Sequence, residues 1–249
     1  MTDAALPVGR FAEREFNAGR VFNSSFIIFA RNILPFSLVT LVASLPNLLI
    51  LWPRSAPVDP VVMAGRLLVG VALIMLLNAV TQSVVLYAAF DDMRGRPVNM
   101  IESIRIGLGR FFPVLGLAIS IVVLLGLSAI ALLVPALILM MVWAVAMPAC
   151  VVERLGPIES MRRSGRLTKG HRWKIFGLWM ASLIGGSIAQ AILSNVSRAI
   201  GGQAAALVVL VAWGAVYGAF NAVLAIVIYH DLRVAKEGVD TNQIAAVFD

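Results

Sequence analysis

The stretch Pro113-Val-Leu-Gly-Leu-Ala-Ile-Ser-Ile-Val-Val-Leu-Leu-Gly-Leu-Ser-Ala-Ile-Ala-Leu-Leu-Val-Pro-Ala-Leu-Ile-Leu-Met-Met-Val-Trp-Ala-Val-Ala-Met-Pro-Ala-Cys-Val-Val152 decides the fold, because it runs without one charged side chain. A helix rises about 1.5 Å per residue and a hydrocarbon core is about 30 Å thick, so this stretch crosses a bilayer about twice. Proline removes a backbone donor and blocks helix continuation, which places a tight hairpin at Pro135 between spans 113–134 and 136–152. Working outward, four more apolar spans are predicted, over residues 32–52, 67–90, 173–193 and 204–229. The last two are separated by 194–203 with Gly201 and Gly202. The expected fold class is an all-α membrane protein with six transmembrane helices. It forms one integral domain over 1–238 with a flexible tail at 239–249.

Composition agrees. Of 249 residues, 60% are hydrophobic and 13% charged, and the mean hydropathy is +0.93, far from the usage of soluble domains. Asp3, Glu13 and Glu15 precede any apolar segment, so no removable signal peptide is expected. Cys150 is the single cysteine and reads as a small buried hydrophobe.

The net charge of +7 is explained by position, without a nucleic-acid partner. Of the 20 Lys and Arg residues, only Arg54, Arg66 and Arg198 fall on one side of the six spans. Such an asymmetry places both termini and the long loops in the cytoplasm. Were 113–152 a single crossing, basic segments would fall on opposite faces.

Three amphipathic helices are expected in the interface. Phe22, Phe26 and Phe29 form an apolar stripe between Arg20 and Arg31. Ile101, Ile104, Leu108 and Phe111 recur at helical spacing after Pro97, and Arg162, Arg166 and Lys169 line one stripe after Pro157. Ile101-Glu-Ser-Ile-Arg105 matches Ile158-Glu-Ser-Met-Arg162. The match suggests a threefold repeat of interfacial helix plus helical hairpin over residues 10–90, 97–152 and 156–232.

Pro135, Trp143, Pro148 and Glu153, followed by Arg163-Ser-Gly-Arg-Leu-Thr-Lys-Gly170 with Arg172-Trp173, resemble a bacterial multi-pass domain. That domain is attached to some glycerophosphodiester phosphodiesterases and is more often free-standing. The closing Tyr229-His-Asp-Leu-Arg233 with Lys236-Glu-Gly238 is similar to that family's end. Two positions depart from the pattern: Pro135-Ala136 stands where Pro-Gly is usual, and Gly165 replaces a bulky residue. The resemblance implies the membrane domain without the enzyme. A phosphodiesterase of that kind needs acidic metal ligands and catalytic histidines, and the chain has only His171 and His230.

No catalytic residues, cofactor-binding residues or metal ligands are expected. Candidate contacts for lipid headgroups, anionic ones included, are Arg162, Arg163, Arg166, Lys169, Arg105 and Arg110; the competing reading is that these arginines only orient the chain. A candidate polar interior comprises Asn78, Gln82, Gln190, Tyr217 and Asn221, read either as interhelical hydrogen bonding or as a permeation path. Gly177, Ala181, Gly185 and Ala189 face Gly214, Gly218 and Ala222 as the seam of the last hairpin, with a homodimer face as the alternative. The expected function is therefore a non-enzymatic, lipid-associated scaffold or accessory subunit, with membrane lipids and a protein or second copy as partners. The alternative is a small permease or channel component.

Overall fold

Proline sets the breaks between helices. The computed structural model describes residues 16–51, 59–131 and 133–237, and among these the regular structure is helical. The helices are α1 (Ala18–Arg31), α2 (Ile33–Leu51), α3 (Pro60–Met93), α4 (Met100–Gly109), α5 (Phe111–Ala131), α6 (Leu133–Val142), α7 (Ala146–Val152), α8 (Pro157–Thr168) and α9 (Arg172–Glu237). Pro35, Pro113, Pro135 and Pro148 are each the third residue of their helix. In the first turn a missing N–H costs nothing, while the ring would collide with the carbonyl four residues earlier if the preceding helix ran on. The described breaks at Asn32, at Arg110 and over 143–145 therefore lie just upstream of their prolines. Pro135 stands in the first turn of α6, and the junction of α5 with α6, where the hairpin is expected, turns on residue 132, outside the described residues. The span expected to run unbroken over 136–152 is divided into α6 and α7 by Pro148. The tail 239–249 and Arg54 lie outside the described residues.

The α6–α7 break lies within the protein, where its polar backbone groups must find partners. The Val142 carbonyl accepts from Ser164 Oγ at 2.7 Å, and the Val145 N–H donates to the same oxygen at 3.2 Å. Thr168 Oγ1 lies 3.3 Å from that carbonyl. Ser164 and Thr168 are fully buried.

Four helices are long and apolar enough to cross a membrane: Val61–Met93, Phe111–Ser128, Val134–Val152 and Arg172–Glu237. The pair α1–α2, bent by 86°, makes a fifth if counted as one span. The last of these folds back on itself. Gly202 interrupts α9 at φ 71° and ψ −160°, a backbone region that is essentially glycine-only. The two arms then pack antiparallel: Ser182 Oγ lies 2.9 Å from Asn221 Oδ1, and Trp213 Nε1 donates to the Gly186 carbonyl at 3.1 Å.

The second arm is the core. Ala222 to Tyr229 are buried on every side of the helix, as expected of a central element. α1 lies over it, with Phe22 and Phe29 edge-on to Phe220. Thr40 on α2 donates to the Ala215 carbonyl at 2.7 Å, and α4 presses Gly107 against Val84 so closely that a Cβ would sit 2.6 Å from its methyl group.

The hairpin seam is not the stripe expected from four-residue spacing. Nothing lies within 4 Å of a Cβ built on Gly177, Gly185, Gly214 or Gly218, whereas one on Gly186 would meet the Tyr217 ring at 2.4 Å. The seam runs through Ser182, Gly186, Trp213, Tyr217 and Asn221, one residue round the helix, because the aromatic rings of the second arm need a groove beside them. Gly186→Ala should therefore destabilise the hairpin by about 1–3 kcal/mol through overpacking, while Gly185→Ala stays within about 0.5 kcal/mol. Thermal unfolding of the two variants in one detergent compares them directly. Ser164→Ala should cost about 1–3 kcal/mol, since it orphans the Val145 amide and leaves the Val142 carbonyl only the longer Thr168 contact; the same melt, with Ser187→Ala as an exposed control, measures it.

Candidate functional site

The charged side chains gather at the end of the bundle where α3, α7 and α9 finish and α4 and α8 begin. Tyr229, fully buried, donates to Glu153 Oε1 at 2.5 Å. Arg163 Nε donates to the same oxygen at 2.8 Å, and its two terminal nitrogens grip both oxygens of Glu237 at 2.5 and 3.0 Å. Arg233 Nε closes the chain on Glu237 Oε2 at 3.2 Å. A planar fork meeting a carboxylate in this way is specific to arginine. The carboxylate of Glu237, and secondarily that of Glu153, holds the Arg163 guanidinium above its usual pKa range. The side chains of Arg163 and Glu153 are only 16% and 17% exposed. This network therefore ties α7, α8 and the end of α9 together.

Arg163 is thus drawn into the protein and away from the set expected to face lipid headgroups. Its neighbours divide by helical phase. Ser160, Ser164, Leu167 and Thr168 are buried on one face of α8, while Arg162, Arg166 and Lys169 are exposed on the other. On α4, Ser103 and Gly107 are buried while Arg105, Ile101, Ile104 and Leu108 are exposed, and Arg110 is half-buried.

The expected polar interior separates into unrelated places. Tyr217 and Asn221 stand together with Ser182 on the α9 seam, and Asn221 Nδ2 donates back to the Tyr217 carbonyl at 2.8 Å. Gln82 reaches the Gly218 carbonyl at 3.5 Å. Asn78 is exposed and spends its amide on its own helix, at Ile74, although it lies four residues from Gln82 and on a neighbouring row. Gln190 is half-buried, and its side-chain nitrogen has no hydrogen-bond partner. Sequence spacing overlooked Ser182 and Thr40, whose hydroxyls bridge helices; a lone hydroxyl in an apolar run gives no periodic signal. Among the described residues no three His, Cys, Asp or Glu side chains come together.

This arrangement defines a membrane protein, all-helical among the described residues, whose polar side chains either brace their own helices or join neighbouring ones. The chain belongs to the domain-of-unknown-function family DUF7847, whose profile matches residues 98–232, more than half of its length. The match takes in Glu153, Arg163, Ser164 and Tyr229. It supplies no tie to the membrane domains of glycerophosphodiester phosphodiesterases. No curated protein and no solved structure matches the chain.

Arg163→Gln leaves Glu153 without its cation and Glu237 with Arg233 alone, and should lower stability by about 3 kcal/mol, the low end for a broken buried pair because the network is partly wetted. Adding Glu153→Gln should recover part of that loss, whereas Arg162→Gln should change stability by less than about 0.5 kcal/mol. A double-mutant cycle read by thermal unfolding in detergent checks all three.

Proposed function

We propose that this chain is a non-enzymatic multi-pass protein of a bacterial inner membrane, with both termini cytoplasmic, that acts as a lipid-associated scaffold or accessory subunit. The carrying observation is the division of basic side chains on α8. Arg163 is consumed internally, yet Arg162, Arg166 and Lys169 stay exposed at the same end as the exposed apolar residues Ile158, Trp173, Phe112, Ile101 and Leu108. Basic groups interleaved with exposed aromatic and aliphatic ones suit the boundary between headgroups and acyl chains. α1, α4 and α8 are the interfacial helices in this reading. Six crossings are made by α2, α3, α5, the α6–α7 pair and the two arms of α9.

The threefold repeat has support beyond its five matched residues. α1 joins α2 through Asn32 alone, and α4 joins α5 through Arg110 alone. The matched serines Ser103 and Ser160 are both buried and both donate to the carbonyl of their helix's N-cap, Asn99 and Gly156. Ser25 on α1, also buried, donates likewise to the carbonyl four residues before it, that of Val21, one turn inside the helix. Likeness to the free-standing phosphodiesterase-type membrane domain belongs to this proposal as well. The dispersal of Asn78, Gln82 and Gln190 favours the scaffold over the permease, because a permeation path needs its polar groups contiguous.

The test is lipid retention by the purified full-length protein in mixed phosphatidylglycerol and phosphatidylcholine vesicles. Each basic group near the surface contributes about 1 kcal/mol toward anionic lipid, roughly fivefold. Arg162→Gln with Arg166→Gln and Lys169→Gln should therefore abolish phosphatidylglycerol enrichment while leaving the melting temperature unchanged. Cysteine labelling at Arg162 and at the carboxyl terminus should report protection from a periplasmic reagent. Labelling at either site without disrupting the inner membrane refutes the orientation.

A further inference from the structure

On the flank of α1 turned away from its phenylalanines, a cleft of about 370 Å³ opens between α1, the end of α3 and the end of α9. Its walls mix apolar side chains, Ile28, Met93 and Val227 among them, with Ser24, Arg20, Arg31, Asp92, His230 and Asp231. Arg20 Nη2 pairs with Asp231 Oδ1 at 2.8 Å. Arg31 Nη2 approaches Asp92 Oδ1 only to 3.6 Å, beyond hydrogen-bond reach. The Asp92 side chain is 8% exposed, that of Arg31 66%. Asp92 Oδ2 and Asp231 Oδ2 are buried without a hydrogen-bond partner.

A carboxylate buried to that degree ordinarily accepts several hydrogen bonds, and leaving them unmade is costly. Asp92 has a nearby charge and no donor in contact. The arginine that faces it is held too far off to serve as one, and its other side stands open at the cleft's rim. Beside this pair the cleft has room for a ligand carrying both signs. Its cation must bring N–H donors to a carboxylate, and its anion must suit a guanidinium. A primary ammonium supplies three donors, and a phosphate fits the arginine fork. The aliphatic walls and the position at the charged end of an apolar bundle add an acyl-bearing molecule to that description.

We propose that this cleft binds the headgroup of an aminophospholipid, a phosphoethanolamine ester, with its ammonium on Asp92 and its phosphate at Arg31. Asp231 serves as the second carboxylate of the cleft and Ser24 as its polar floor. This deepens the lipid-associated reading above and rests on it, but it uses none of the exposed residues of α8.

The experiment is native mass spectrometry of the full-length protein released from vesicles containing phosphatidylethanolamine, phosphatidylcholine and phosphatidylglycerol with identical acyl chains. Phosphatidylcholine keeps the charge and the phosphate but its quaternary ammonium has no N–H. The wild-type protein should retain phosphatidylethanolamine about tenfold over phosphatidylcholine, a ratio equal to about 1.4 kcal/mol. Asp92→Asn should remove that preference. Ser24→Leu keeps both carboxylates and fills the cleft, so it should remove the preference too, and it decides the matter if Asp92→Asn fails to fold. The triple α8 variant should lose phosphatidylglycerol enrichment and keep the phosphatidylethanolamine preference, which separates this proposal from the one it deepens. Equal retention of the two zwitterionic lipids by the wild-type protein overturns it, as does a preference that survives both cleft variants. Displacement of the bound lipid by soluble glycerophosphoethanolamine overturns the assignment to a lipid in favour of a free phosphoethanolamine ester.

Discussion

The interruption between α6 and α7 is the constraint from which much of the architecture follows. In an apolar surrounding a backbone carbonyl or amide without a partner costs about as much as a whole helix cap contributes, so a broken helix must be repaired by something nearby. Here the repair centres on one hydroxyl, with Thr168 Oγ1 adding a longer contact to the Val142 carbonyl. Ser164 both donates to Val142 and accepts from Val145, which fixes α8 against the break in one rotational phase. Once Ser164 is turned inward, its neighbour Arg163 is carried to the edge of the same face, where Glu153 and Glu237 meet it. The same phase leaves Arg162, Arg166 and Lys169 outside. The charge distribution of α8 is thus a consequence of a proline fifteen residues upstream of Arg163, through the backbone groups that the break before Pro148 leaves without helical partners.

The second arm of α9 shows how little polarity is needed when nearly all the surroundings are apolar. Lipid tails compete with leucine on equal terms, so helices in a bilayer gain little from simple hydrophobic burial and more from close approach and from hydrogen bonds between them. The buried run from Ala222 to Tyr229 provides the close approach. Thr40 to Ala215, Gln82 to Gly218 and Ser182 to Asn221 provide bonds from α2, α3 and the first arm of α9 to the second. Three partners therefore address one helix at successive turns, which favours a fixed bundle over elements that slide past one another.

Much of this was legible in the sequence, and the errors share a cause. Composition and run length showed that the chain is helical and membrane-sized, because bilayer thickness imposes those features without reference to neighbours. Pro148 divides a stretch expected to run unbroken over 136–152, and the break lies upstream of it, since a proline is tolerated in the first turn and excludes the helix before it. Gly185 and Gly186 are equivalent by composition, and only the Tyr217 ring distinguishes them. Arg163 resembles Arg162 and Arg166 in a linear reading; its bond to Glu237 spans 74 positions of chain and is invisible to any local pattern. Asn78 and Gln82 illustrate the same limit, as helical spacing predicts a shared face but not whether that face meets protein or lipid.

An arginine count alone therefore cannot separate orientation from recognition. The positive-inside bias needs basic residues near the membrane surface and is indifferent to what they touch. Arg163 satisfies that bias while fully committed to two carboxylates, and Arg20 satisfies it while paired with Asp231. Residues so engaged have little charge left to offer a headgroup. Among the described residues, Arg162, Arg166 and Lys169 on the outer face of α8 and Arg105 on α4 stay exposed outside these ion pairs, and Arg31 meets its carboxylate only at 3.6 Å. Positive charge near a membrane surface and charge free to meet a headgroup are therefore different sets, separable by which basic residues lack a close internal partner, a distinction that only the folded arrangement makes.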